Sequence, residues 1–145
     1  MTLLNKILIV DDSQLIHNMY KLIMNRYHGC KILDAMNGLE ALDMLSRESD
    51  FDLILLDINM PVMNGIQFME KLHGENLYRH IPVIVISTEG REDDTLRALK
   101  LGAVGYVVKP FKANLLHELI EKIVGKQQKI SPFAEIDRRK ETASK

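Results

Sequence analysis

The sequence predicts an α/β fold, a doubly wound five-stranded parallel sheet with five helices, and two patterns predict it. Short apolar runs alternate strictly with longer stretches of helical period. That order calls for parallel strands, right-handed crossovers and helices on both faces of the sheet. The runs are also near-continuously apolar rather than alternating, which is how strands buried on both faces read. A chain of 145 residues supplies one domain of this kind, large enough for a core without covalent staples.

The strands are placed at 7–10, 31–33, 53–56, 82–86 and 104–108, where aliphatic and β-branched residues are bounded by polar or turn residues. Leu15, Ile16, Met19, Leu22 and Ile23 recur at helical spacing and mark the first helix, with Ser13 as its cap. Leu39, Leu42 and Leu45 mark the second, after Asn37-Gly38. Ile66, Phe68, Met69 and Leu72 mark the third, capped by Asn64. The fourth, 91–101, opens on Glu92, Asp93 and Asp94, charges that suit a helix N-terminus. The fifth carries Leu115, Leu116, Leu119, Ile120, Ile123 and Val124 and is expected to close at Gly125. The domain therefore spans 1–125. Residues 126–145 read as a polar tail or truncated linker, disordered or loosely helical, because their few apolar side chains bury little.

Composition removes several classes of function. Net charge is −1, divided into −4 over residues 1–125 and +3 over 126–145, so the body lacks the basic face of a nucleic-acid reader. No run of 18 apolar residues exists to span a membrane, and the N-terminus turns acidic too soon for a signal peptide. A cytoplasmic location is expected. The single cysteine, Cys30, excludes an internal disulfide framework and reads as a small buried hydrophobe. His17, His28, His73, His80 and His117 show no metal-ligand spacing and read as surface or boundary residues. The eight methionines, Met60 and Met63 among them, read as packing. No glycine-rich phosphate loop is present.

In an open parallel sheet, function gathers beyond the carboxyl ends of the strands. Asp11 and Asp12 follow the first run, Asp57 and Asn59 the third, Ser87, Thr88 and Glu89 the fourth, and Lys109-Pro110 the fifth. Any one of these could simply cap a helix. Three carboxylates at one edge, however, repel each other and raise each other's pKa, a cost that capping does not explain. A divalent cation relieves it, and hard oxygen ligands suit Mg²⁺. Lys109 adds a second positive charge for a phosphoryl group. The set points to phosphoryl transfer with Asp57 as an in-line nucleophile and Ser87 bonding a phosphoryl oxygen.

These residues, in this order, resemble the receiver domains of two-component response regulators. The resemblance runs from residue 5 to about 125 through ILIVDDS, DAMNGLEALDML, DLILLDINMPVMNG, IPVIVIST and GAVGYVVKPF. It implies a flavodoxin-like, CheY-like sheet of order 2-1-3-4-5. It also implies that Asp57 is the phosphoacceptor, and that Asp12, Asp57 and the backbone carbonyl of Asn59 hold Mg²⁺, with Asp11 acting through water. Lys109 resembles the lysine that contacts the phosphoryl group, Ser87 the hydroxyl that swings toward it, and Tyr106 the aromatic switch behind it. The Lys109-Pro110 bond is expected to be cis. Asn59 and Glu89, two residues past Asp57 and Ser87, are expected to tune dephosphorylation. Pro61 and Gly65 are expected to turn the loop after Asp57.

The implied function is a phosphorylation-activated signalling switch, charged by a histidine kinase or phosphotransfer protein. Its output would pass through the fourth helix, fifth strand and fifth helix to a protein target. Beyond catalysing its own phosphorylation and dephosphorylation it would not be an enzyme. Val104-Gly105 stands where winged-helix regulators carry an acidic pair used in dimers, so a monomer is expected before phosphorylation. GYVVKPF is similar to the stand-alone branch of the family. A receiver cut from a longer regulator is the alternative. A haloacid dehalogenase-type phosphatase is a more distant one, since Asn59 occupies the position where its general acid would stand.

Overall fold

The computed structural model describes residues 3–74, 78 and 80–128. Five strands, β1 (Lys6–Val10), β2 (Lys31–Ala35), β3 (Leu53–Asp57), β4 (Val83–Thr88) and β5 (Gly105–Lys109), form one parallel sheet of order β2-β1-β3-β4-β5. Between and after them run α1 (Gln14–Ile23), α2 (Gly38–Arg47), α3 (Gly65–Gly74), α4 (Glu92–Lys100) and α5 (Ala113–Gln128). A 3-10 turn over Met24–Arg26, which the sequence pattern does not announce, tightens the end of α1.

The period of two along each strand divides the core into two layers. Leu8, Val10, Ile54, Leu56, Val83 and Val85 face one side, with Ala41 and Leu45 of α2, Phe68 and Leu72 of α3 and Ala98 of α4. Ile7, Ile9, Leu53, Leu55, Ile84 and Ile86 face the other, with Tyr20 of α1, Met24 of the 3-10 turn and Leu116, Ile120 and Val124 of α5. Every residue of β3 is buried because the strand lies mid-sheet with helices above and below.

The helix starts follow the local chemistry. Ser13 Oγ accepts from the Ile16 N–H at 3.3 Å, Asn37 Oδ1 from the Glu40 N–H and Asn64 Oδ1 from the Gln67 N–H, both at 2.9 Å. Two expectations are corrected. The fifth helix does not close at Gly125: α5 passes through it to Gln128. A glycine inside a helix costs only about 1 kcal/mol, and the next three residues, Lys126, Gln127 and Gln128, are good helix formers. The rest of the proposed tail, 129–145, lies outside the described residues. Nor is β5 buried on both faces: as an edge strand it leaves Tyr106 and Val108 exposed. Among the described residues no helix is long and apolar enough to cross a membrane.

Candidate functional site

Strand β1 delivers Asp11 to the carboxyl edge, and every polar atom of that residue is engaged. Its N–H donates to the Ala35 carbonyl at 3.1 Å, and Oδ1 accepts from the Ser13 N–H at 2.9 Å. Oδ2 accepts from Lys109 Nζ at 3.3 Å, and its carbonyl lies 2.7 Å from His17 Nε2. Asp11 is buried while its neighbour Asp12 is exposed. Strand β3 delivers Asp57, also buried, with Lys109 Nζ 3.7 Å from Oδ1. Carboxylate oxygens of Asp11, Asp12 and Asp57 all lie within 4.8 Å of one another. The sheet thus gathers the three carboxylates and the lysine that the sequence singles out.

The loop after Asp57 turns by means the sequence does not reveal. Val62 carries a φ of 67°, and the Met63 N–H reaches back to the Pro61 carbonyl at 2.7 Å, closing a three-residue turn centred on a β-branched residue. Gly65, expected to turn the loop, instead begins α3. A Cβ there would stand 2.6 Å from the Asp57 carbonyl oxygen and 2.7 Å from Ile58 Cα. Glycine lets the start of α3 lie against the end of β3, which fixes the direction in which Asp57 leaves the strand.

Ser87 ends the buried part of β4, and its Oγ accepts from Thr95 Oγ1 of α4 at 3.1 Å. Tyr106, on β5, points outward and is half-exposed. Between them lies a cavity of about 130 Å³, lined by Ser87, Thr95, Leu96, Leu99, Tyr106 and Val108. Asn59 and Glu89 are both exposed. The Lys109–Pro110 peptide bond is cis.

Burial pushes the Asp57 carboxyl up to about 6; Lys109 opposes this, Asp11 adds to it, the Asn59 N–H opposes it, and Asp12 adds least. Desolvation thus outweighs the mutual repulsion that the sequence alone suggests. Three oxygen-bearing side chains with a destabilised charge between them fit a small hard cation. Asp11, Asp12 and Asp57 are the residues that could hold one.

Other features depend on tertiary placement. Two histidines are not surface residues: His17 is fully buried against the sheet, and His117 is buried with Nδ1 3.0 Å from the Tyr27 hydroxyl. The His117 imidazole is held below its usual range, first by burial and then by Arg26. His17 lies one turn past the Ser13 cap, on the stripe that continues to Tyr20 and Met24, and a helical wheel would place it inward. Tyr20 Oη is buried with no partner among the described residues. Cys30 is half-buried rather than buried, its thiol pushed up to about 11 by burial and Asp52.

A parallel sheet that brings this carboxylate cluster and lysine to one edge defines a class. The chain belongs to the response regulator receiver domain family, whose model matches residues 7–121. It is a phosphorylation-activated signalling switch of the CheY-like, two-component type. It is 37% identical over 120 residues to a chemotaxis protein CheY homolog of Campylobacter jejuni, covering 83% of this chain and 92% of that one. The chemotaxis protein CheY1 of Helicobacter pylori is likewise 37% identical, with 83% and 97% covered. Among solved structures, a CheY-like receiver domain protein of Methanospirillum hungatei superposes with a TM-score of 0.78 at 30% identity, covering 88% of this chain and 99% of that one.

Proposed function

We propose that Asp57 is the phosphoacceptor and takes its phosphoryl group from a histidine kinase or phosphotransfer protein. The observation that carries this reading is the cluster of three carboxylates within 4.8 Å of one another at the carboxyl edge of the sheet, with Lys109 Nζ 3.3 Å from Asp11 and 3.7 Å from Asp57. One oxygen of Asp57 attacks phosphorus in line. The new O–P bond forms as the P–N bond to the donor imidazole breaks, and the ring nitrogen keeps the electron pair. Asp12, Asp57 and the Asn59 carbonyl would hold Mg²⁺, with Asp11 acting through water. When bound, the ion neutralises charge on the transferring oxygens. Lys109 serves the same oxygens from the other side, and the chain thereby catalyses its own modification.

An aspartyl phosphate adds charge and acceptor oxygens. Ser87 Oγ already accepts from Thr95, so its own hydrogen is the one it can offer to a phosphoryl oxygen. The loop arrangement in which Ser87 and Lys109 bind phosphate best becomes more populated. Tyr106 turns inward behind Ser87, toward the cavity. The change is read by a protein target on the face of α4, β5 and α5, where Leu96, Tyr106, Val108 and Leu115 stand exposed. Before phosphorylation the chain acts as a cytoplasmic monomer without direct contact to nucleic acid; a stable dimer of the unmodified protein in size-exclusion chromatography would contradict this.

Treatment with acetyl phosphate and Mg²⁺, followed by intact-mass measurement, tests the acceptor. A metal-dependent phosphoryl adduct is expected on the parent and none on Asp57→Asn; an equal adduct on the variant overturns the assignment. Asn59 and Glu89 flank the path of water and set the phosphorylated lifetime. Hydrolysis of the adduct in Glu89→Ala is expected to differ from the parent, and identical rates would remove Glu89 from the mechanism.

A further inference from the structure

His17 is the fully buried residue that holds the main chain of the acidic pocket from behind. Its Nε2 lies 2.7 Å from the Asp11 carbonyl oxygen, and its Nδ1 lies 2.7 Å from Asp34 Oδ1. A carbonyl oxygen only accepts, so Nε2 carries hydrogen and donates. Asp34 is fixed in turn by Lys21 Nζ, 3.2 Å from its Oδ2. The ring is therefore locked at both nitrogens, one toward the end of β2 and one toward the end of β1.

The bond to Asp11 falls on the peptide group that joins Asp11 to Asp12. Backbone peptides are planar, so holding that carbonyl fixes the plane and, with it, the Cα of Asp12. Asp12 is exposed, so burial does little to fix its carboxylate. We infer that His17 is a positioning residue: by fixing the Asp11–Asp12 peptide it aims the two carboxylates at the cation and the phosphoryl group. This rests on the reading of Asp11, Asp12 and Asp57 as the Mg²⁺ and phosphoryl site.

Two substitutions separate the two bonds of the ring. In His17→Gln the side-chain amide reaches where Nε2 stands and can still donate to the Asp11 carbonyl. In His17→Asn it reaches only where Nδ1 stands, keeping Asp34 and releasing Asp11. Mg²⁺ affinity is measured by calorimetry on each folded protein, with melting temperature in chelator recorded alongside. His17→Asn is expected to weaken Mg²⁺ binding about tenfold, the scale seen when a partner behind a metal ligand is removed. His17→Gln is expected to stay near the parent, whatever either change does to melting.

Parent-like affinity in both variants, or equal loss in both, overturns the inference. Should the Asn variant not fold, His17→Leu, which fills the buried site but offers no donor to the Asp11 carbonyl, is expected to weaken Mg²⁺ binding in the same direction, and unchanged affinity there overturns it too. If instead the parent binds no Mg²⁺ and gains no phosphoryl adduct, the underlying site reading fails, and that outcome is distinct from any pattern among the variants.

Discussion

Asp57 is a carboxylate whose ionisation the fold opposes, chiefly by burial. Its folded pKa of about 6 exceeds the ordinary 3.8, so between these values the folded state binds more protons than the unfolded one. Stability therefore falls as pH rises through that window. Asp57→Asn removes the penalty. In chelator it is expected to stabilise the fold at pH 8 by up to about 3 kcal/mol, and by almost nothing near pH 4. Urea unfolding at the two pH values checks this, and a destabilised variant at pH 8 would contradict it. The carboxylates and Lys109 were legible in the sequence because a strand end is a topological address, and each directly follows an apolar run. His17 and Thr95 were not. Their roles come from which strand end each helix crosses, and no spacing along the chain states that.

At the level of elements, capping residues proved as informative as hydrophobic period. Ser13, Asn37 and Asn64 each accept from the N–H three residues on, as their side chains allow. Two junctions escaped the sequence. Gly125 sits inside α5 because one unfavourable residue does not by itself end a helix. Val62 adopts a left-handed conformation that its side chain disfavours, so the β3–α3 turn is imposed by its flanks rather than by its own residue type. Gly65 is the flank that admits least change. Gly65→Ala is expected to destabilise the fold by about 3 kcal/mol, at the upper end of overpacking costs, because the new Cβ meets backbone. It should also slow phosphorylation by acetyl phosphate. A variant with parent-like stability and phosphorylation rate would show that α3 can retreat from β3 without moving Asp57.

Across the whole molecule, strand order decides how firmly each part is held. Strand β3 is paired on both sides and covered on both faces, whereas β2 and β5 are edges. In terms of hydrogen exchange, the amides of Leu55 and Leu56 should exchange only when the whole domain unfolds, and those of β5 through smaller, cheaper openings. Exchange monitored by NMR in chelator checks this; equal rates in β3 and β5 would refute it. The proposed phosphoacceptor is thus rooted in the segment that opens last, and the proposed partner surface in one that opens early. Deuterium uptake should accordingly respond to phosphorylation at β5 and α4 while β3 stays at the global limit.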